Sequence, residues 1–596
     1  MKHFYIVLLF FSCYLVSAQS IYDPTAKYDA SGGLFDHDSL RSIYLDFYDP
    51  NYHQVLVNSW FYNPDLRIPA VLTINNIDYD SVGVRYKGNS TFCLPNDASN
   101  QKVPYNIDIN YFIGGQKVMG YKKMKLANAW MDPTFMKQVI SAKIYQEYLP
   151  TGESNLVKLF SQGNYLGMYV NDESINKQFL DKHFDEKNGP LFKCDNIDRF
   201  CDTAGAPSAM PPNLNFLGDD STLYYNSYDM KSDHGWTELV DLIRTIVYEF
   251  QNIDSVLNVD RTLWAFAANQ TLQNLDCYNT YYVHNYYLYQ TEDGLFQMIP
   301  WDLDNSFAGA IMGWNFWNQS AIYEYDPYYV GGPYTGPMGA PQPWEWRPLL
   351  DKLLNNDLYR KIYTAHLRTI LNESFDTTTI RAYINDYQVR ANNDVNSDIN
   401  KQFSLSQYYN NTENPIWTGW GFGGIMKTMI ERKQFLMSHP EISYVPPVLT
   451  SHNFSNNVFT VYSSNTDKVE LMVSTNKQKS KFKSFLMNDD GINGDLVAGD
   501  GFFSTTFDLQ NYNDTINYYF RSENIDAISL LPERAEYFFF QMAPLATSST
   551  NSQVISEKKL VEVLDVLGRK TNQATNMPVL FIYDDGTVEK RFQIKR

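Results

Sequence analysis

The stretch from 274 to 307, NLDCYNTYYVHNYYLYQTEDGLFQMIPWDLDNSF, constrains the fold more than any other part of the chain. Two aromatic, apolar runs flank the turn residues Glu292-Asp293-Gly294, which predicts a β-hairpin. Acids stand at both ends. Asp276 precedes the first strand, His284 and Asn285 open it, and Asp302 and Asp304 follow the second strand. Phosphoryl transfer to a hydroxyl needs one acid to orient or deprotonate the nucleophile. It needs others, with an amide oxygen, to hold magnesium on the phosphates. Asp276, Asn285, Asp302 and Asp304 supply that set, although acids at strand ends also serve as turn formers and caps.

Elsewhere the pattern alternates between strands and helices, an α+β composition. Residues 41–126 read mostly as strands, at 42–47, 70–74, 82–86 and 105–109. A helix is predicted over 132–147, with Asp132 as N-cap, Pro133 at the first helical position, and Phe135, Met136, Val139, Ile140 and Ile144 at helical spacing. Strands at 156–160 and 165–169 follow, joined by Ser-Gln-Gly-Asn. Helices are predicted over 236–275, 347–371 and 422–438, and 315–345, rich in Tyr, Gly, Pro and Trp, reads as a long ordered loop. Pro446-Pro447 marks a boundary. Beyond it 448–543 reads as a β-sandwich, 544–553 as a linker, and 554–596 as a short β unit with the hairpin signal Asp584-Asp585-Gly586.

The first eighteen residues read as a secretory signal: Lys2 and His3, an apolar run from Tyr5 to Val16, then Val16-Ser17-Ala18 before Gln19. The apolar run is too short to span a bilayer, and no other stretch is long enough. The mature chain is therefore expected outside the cytoplasm, with no transmembrane segment. Of five cysteines, Cys13 falls in the signal; Cys194 and Cys201, closing KCDNIDRFC, are the expected disulfide pair. The net charge of −19 argues against a nucleic-acid surface, and any polyphosphate must sit in a local pocket with divalent cations offsetting the carboxylates. Aromatics make up 16% of the chain, which suits strands and cores as well as ligand-binding surfaces.

NLDCY, HNYYLY and IPWDLDNSF, in that order, resemble the signature of the spore-coat protein H (CotH) kinase family, an atypical branch of the protein-kinase-like fold. VGVRYKGNST (82–91), KKMKLANAWMDPTFMKQVISAKIYQE (122–147), GNYLGMYVNDESINKQFL (163–180) and RPLLDKLLNNDLYRKIYTAHLRTIL (347–371) resemble further family segments, so the similarity spans about 35–440. The resemblance implies a Mg²⁺-dependent transfer of phosphate from ATP to Ser or Thr of a protein acceptor. It puts Asp276 at the catalytic acid, Asp302 at the metal, and Asn285 and Asp304 beside it. Lys125 falls where a phosphate-pairing lysine is expected, with Lys87 and Arg85 as alternatives, and Glu173 where it would hold the lysine or face the nucleotide. The interval from Asp276 to Asn285 is longer than in ordinary kinases, and no G-x-G-x-x-G or DFG motif occurs.

In the sandwich segment, NDDGINGDLVAGDG (488–501) crowds Asp489, Asp490, Asn493, Asp495 and Asp500 onto a Gly-rich loop, which suits Ca²⁺ or a hairpin turn. The segment 446–543 resembles an Ig-like accessory domain of exported bacterial proteins. The final 43 residues, with Asp565-Val566-Leu567-Gly568-Arg569, resemble the C-terminal sorting domain of the type IX secretion system of Bacteroidetes, implying that machinery as a partner. A surface binding or adhesion protein with a repurposed kinase-like site, holding a surface ligand, is the alternative.

Overall fold

Period-two alternation closes the first third of the chain into a barrel. The computed structural model describes residues 19–28, 30–95, 101–195, 211–280, 283–311, 322–330, 347–418, 421–476, 481–543, 560–565, 569–571, 577–583 and 588–593. After β1 (Gln19–Tyr22) come β2 (Arg41–Phe47), β3 (Ile68–Ile74), β4 (Ile77–Tyr86), β5 (Tyr105–Asp108), β6 (Lys123–Ala127), β7 (Ser154–Ser161) and β8 (Asn164–Asp172). They close in the order β2-β3-β4-β5-β6-β8-β7, through parallel pairing of β2 with β7 that sets Arg41 opposite Val157. Ile43, Leu72, Val84, Ile107 and Leu159 share the buried core, each favouring folding by roughly 1.5–3 kcal/mol. α1 (Tyr52–Tyr62) departs from the all-strand reading of this region; its buried face is only Tyr52, Leu56, Ser59 and Trp60, a weak helical signal among strand formers. α2 (Ser90–Cys93) follows β4.

α3 (Lys137–Tyr145) starts later than the predicted helix because Phe135 adopts φ 60°. Asp132 still caps it from a distance: Oδ2 accepts Lys137 N at 2.8 Å and Oδ1 accepts Thr134 N at 2.8 Å. α4 (Lys177–Phe184), β9 (Leu191–Cys194), β10 (Asp229–Met230), α5 (Trp236–Tyr248), α6 (Val259–Thr271), β11 (Tyr286–Gln290) and β12 (Phe296–Pro300) complete the region around the hairpin, in a sheet of order β10-β9-β11-β12. The single helix expected over 236–275 is two, parted by a 3₁₀ turn at Phe250–Ser255. Helices Asp357–Glu373, Thr377–Ser397, Leu405–Glu413 and Ile425–Ser438 share one core with α3 and α6. The middle two lie where the sequence reading placed none. Of the loop expected over 315–345, residues 322–330 are described. The fully buried Arg432 pins that part to α6, donating to Tyr323 O at 3.0 Å, Tyr325 O at 2.5 Å and Gln270 O at 3.0 Å.

Gly167, the second glycine of G-N-Y-L-G, has φ 131° because Asp398 lies where its side chain would be. That carboxylate accepts Met168 N at 3.0 Å and pairs with Lys102, both charges fully buried. One contact thus fastens the barrel to the end of helix Thr377–Ser397.

Two antiparallel sheets follow. Strands Val448–Ser455, Val458–Ser464 and Phe502–Thr506 form one; Lys468–Thr475, Lys483–Met487, Ile516–Glu523, Ile528–Leu531 and Phe539–Met542 belong to the other. They enclose a common core of Phe459, Val461, Leu471, Tyr518 and Phe520. β1 adds to the second sheet, Gln19 opposite Met542 and Tyr22 opposite Phe539. These sheets are also fastened to the helices. Trp264 Nε1 donates to Ala535 O at 3.1 Å, Glu536 N donates to Asp260 Oδ2 at 2.9 Å, and Arg534 pairs with Glu147 and Glu373. Residues through 544 form one compact unit.

The second unit, 545–596, contains an antiparallel sheet of Leu560–Asp565, Met577–Tyr583 and Val588–Gln593. The hairpin signal Asp584-Asp585-Gly586 lies outside the described residues, between two strands that do pair antiparallel. The molecule is α+β. Among the described residues, no helix is long and apolar enough to cross a membrane. The disulfide expectation is corrected: Cys194 is a buried free thiol on β9, Cys201 lies outside the described residues, and among the described residues Cys93 is the disulfide-bonded cysteine. Short spacing around 194–201 does not decide pairing, because the strand buries its own cysteine.

Candidate active site

The hairpin and the end of α6 bring the predicted acids together. Gln273, at φ 51°, ends the helix, and the chain after it is laced to the segment beyond β12. Phe307 N donates to Leu272 O at 2.7 Å and Ala308 N to Gln273 O at 3.0 Å. β11 and β12 pair from Tyr286 opposite Pro300 to Gln290 opposite Phe296, and Trp301 N extends the ladder to Asn285 O at 3.1 Å. At the open end Asn285 and Asp302 sit at φ 59° and 58°. Non-glycine residues hold that backbone only where the surroundings enforce it, and such positions cluster at working sites.

The three acids differ in their partners. Asp276 is held from several sides. Its Oδ1 lies 3.1 Å from His284 Nε2, and its Oδ2 accepts Asn285 Nδ2 and Asn305 Nδ2, each at 3.1 Å. Asp276 N in turn donates to Asn274 Oδ1 at 3.1 Å. Asp304 accepts one long bond, 3.4 Å from Asn305 Nδ2, and Asp302 has no hydrogen-bond partner among the described residues. Burial opposes charge on His284, but the Asp276 carboxylate and its hydrogen bond, with Asp195 and Asp302, outweigh it and raise the imidazole above its ordinary value. Burial raises Asp302, with Asp276 and Asp195 adding and Lys87 and Lys193 opposing. Burial raises Asp304 further, reinforced by Asp302, Asp276, Asp132 and Asp172. Asp302 and Asp304 both leave carboxylate lone pairs open, the kind of oxygen donor a hard divalent cation takes.

Cations arrive from the barrel and from β9. Lys125 on β6 pairs in register with Asp172 on β8. Its Nζ lies 5.4 Å from the Trp301 ring centre, and Lys193 Nζ lies 4.3 Å from the same ring. Burial pushes Lys125 down to about 7, with Lys87 and Lys193 adding their repulsion and Asp172 and Asp302 opposing. Burial lifts Asp172 to about 7, against the pull of Lys87. Lys87 thus acts on both Asp172 and Asp302.

Two predicted residues fall elsewhere. Arg85 alternates with the core residues Val84 and Tyr86, so it faces away from the barrel interior, and its Nη1 donates to Pro64 O at 3.0 Å. The carboxylate of Glu173 accepts Glu153 N at 3.1 Å and lies 3.5 Å from Lys182 Nζ. Asn285 is in the cluster, with its amide nitrogen on Asp276. Asn305, Asp172, Lys193 and His284 join the site without a predicted role. Asn305 and His284 were within sight, since both lie inside the hairpin motif.

The acidic loop forms a separate locus. Carboxylate oxygens of Asp489, Asp495 and Asp500 lie within 4.8 Å of one another. Asp490 stands outside that group, its Oδ1 accepting Ile492 N at 3.1 Å, and Asn493 turns the chain at φ 54°.

The family model of CotH kinase protein matches residues 84–417, more than half of the 596-residue chain. Inner spore coat protein H of Bacillus subtilis (strain 168) is 24% identical over 252 residues, covering 41% of this chain and 64% of that protein. The chain therefore spans less than two thirds of that relative's length. The matched span contains Lys87, the hairpin and all three acids, and the chain belongs to the CotH kinase protein family.

Proposed function

We propose that this protein is an exported, magnesium-dependent phosphotransferase that moves the terminal phosphate of ATP to a Ser or Thr hydroxyl of a protein acceptor. One observation carries the reading: the acids divide into Asp276, held by three side-chain donors, and Asp302 and Asp304, left almost without them. A held carboxylate has a defined direction, which suits accepting a proton from an acceptor hydroxyl. Asp302 and Asp304 would hold the magnesium ion, whose charge offsets the phosphate oxygens. Lys125 and Lys87 offer cations on the barrel side, and Lys193 offers one from β9. As the acceptor oxygen bonds to phosphorus, the bond from phosphorus to the ADP oxygen breaks, and the hydroxyl proton passes to Asp276.

Export follows from the leader at 1–18. The small sheet of the second unit is compatible with the sorting role its resemblance implies, and the calcium reading of loop 488–501 belongs to the same picture of a surface protein. Calorimetry with Mg²⁺ and ATP tests the core claim. Asp302→Ala should weaken binding, while Asp276→Ala should keep binding and lose label transfer to Ser or Thr, on the chain itself or on added surface protein. Unchanged binding and transfer in both variants would end the kinase reading.

A further inference from the structure

Behind the acidic pair lies a lysine that the proposed reaction leaves unused. Lys137 opens α3, the helix that packs on the turn Leu303–Asn305, and it is 0% exposed. Its Nζ has no hydrogen-bond partner among the described residues. Burial pushes it down to about 8, and two carboxylates, Asp132 first and then Asp304, act against that fall. Asp132 is committed to the helix start, accepting Thr134 N at 2.8 Å, Thr134 Oγ1 at 2.6 Å and Lys137 N at 2.8 Å. Asp304 carries only the long bond from Asn305, so of the two it is the carboxylate not already engaged by the backbone. A buried ammonium without a partner is strongly unfavourable unless fixed charges compensate it, and the acidic cluster is that compensation.

We infer that Lys137 is a positioning residue whose ammonium, fixed behind Asp304, takes the electrostatic place of a second metal ion, so that Asp302 and Asp304 together bind one divalent ion per chain. The inference rests on the metal-holding role proposed above for those two acids. Asp132, Asp172, Asp276, Asp302 and Asp304 share one field, which by itself would draw more than one ion. Lys87 and Lys193 are half-buried rather than enclosed, and Lys193 pairs with Asp195. Lys137 is walled in on every side, and an ion drawn to the Asp304 side meets a like charge that has nowhere to move.

Manganese counted by electron paramagnetic resonance, with a non-hydrolysable ATP analogue present, decides the matter on the full mature chain. Ions at other loci are removed by subtracting the count for Asp302→Asn/Asp304→Asn. The expected difference is one ion for the wild type, two for Lys137→Met, and one again for Lys137→Arg. A difference of two in the wild type, or of one in Lys137→Met, overturns the inference while leaving the metal role of the two acids intact. A difference of zero in the wild type overturns both. If Lys137→Met does not fold, the wild-type count alone decides.

Discussion

Asn305 Nδ2 donates to Asp276 Oδ2 over 3.1 Å, so the acid that begins the hairpin motif is held by a residue from its far end. The two segments meet because the backbone of 305–308 is laced to the end of α6. Asn305→Ala should therefore loosen Asp276, and because it removes only a long 3.4 Å bond from Asp304 it should disturb nucleotide binding much less. The expected loss is in kcat, about 10–100-fold, part of the 10²–10⁴ that a well-placed base contributes. Asn305→Asp should not restore it, since a carboxylate cannot donate. A variant whose KM rises while kcat stays level would show that Asn305 serves binding instead.

Gly167→Ala should cost about 3 kcal/mol, from a strained backbone and a disturbed buried ion pair. The added methyl would overlap the Asp398 carboxylate that pairs with Lys102. Urea unfolding of the variant checks this, and an unchanged midpoint would mean that the contact between barrel and helix carries no stability.

The hairpin acids were legible because one contiguous motif holds them, and a hairpin has a single way to join its ends. Lys125 was legible through its strand. The partners of that strand were not. Glu173 and Asp172 differ by one position, yet in β8 a one-residue offset reverses the face. Asp172 meets Lys125 in register, and Glu173 goes to Lys182. Arg85 errs in the same way beside Val84 and Tyr86. Lys137 was read only as part of a helix. What brings it behind Asp304 is the packing of α3 on the 303–305 turn, a long-range contact that periodicity does not encode.

Glu536 predicts a pH effect with a definite sign. Burial raises its carboxyl well above the ordinary value, and the charge of Asp260 raises it further. A raised carboxyl contributes stability that is full below its unfolded value, about 4.3, and is lost as pH rises toward the folded value. Glu536→Gln keeps an acceptor for Tyr519 Oη, now 2.7 Å from Glu536 Oε1, and carries no charge. It should raise the Tm at pH 7.5 by about 2 °C or more and give no gain at pH 4. A gain of equal size at both pH values would remove ionisation as the cause.

The acidic loop yields the last prediction. Asp489, Asp495 and Asp500 place carboxylate oxygens within 4.8 Å of one another. Backbone N–H groups already serve all three: Asp489 accepts Gly499 N at 2.7 Å, Asp500 N at 3.2 Å and Gly501 N at 3.0 Å, Asp495 accepts Gly491 N at 2.6 Å, and Asp500 accepts Phe502 N at 2.9 Å. These bonds hold the loop without an ion, yet they leave three like charges facing each other, and Ca²⁺, which takes six to eight oxygens, relieves that repulsion. An ion that binds only the folded chain stabilises it by about 1.4 kcal/mol per tenfold excess over Kd. The test needs the whole mature chain, because β1 completes the neighbouring sheet. Calcium should raise the Tm, and a chelator should reverse the rise. Asp495→Asn keeps an acceptor for Gly491 N but removes one charge, so its calcium increment should shrink or vanish. An Asp495→Asn variant that gains as much from calcium as the wild type would place the ion elsewhere. A wild type indifferent to calcium would leave the three acids as turn formers whose repulsion the backbone donors alone absorb.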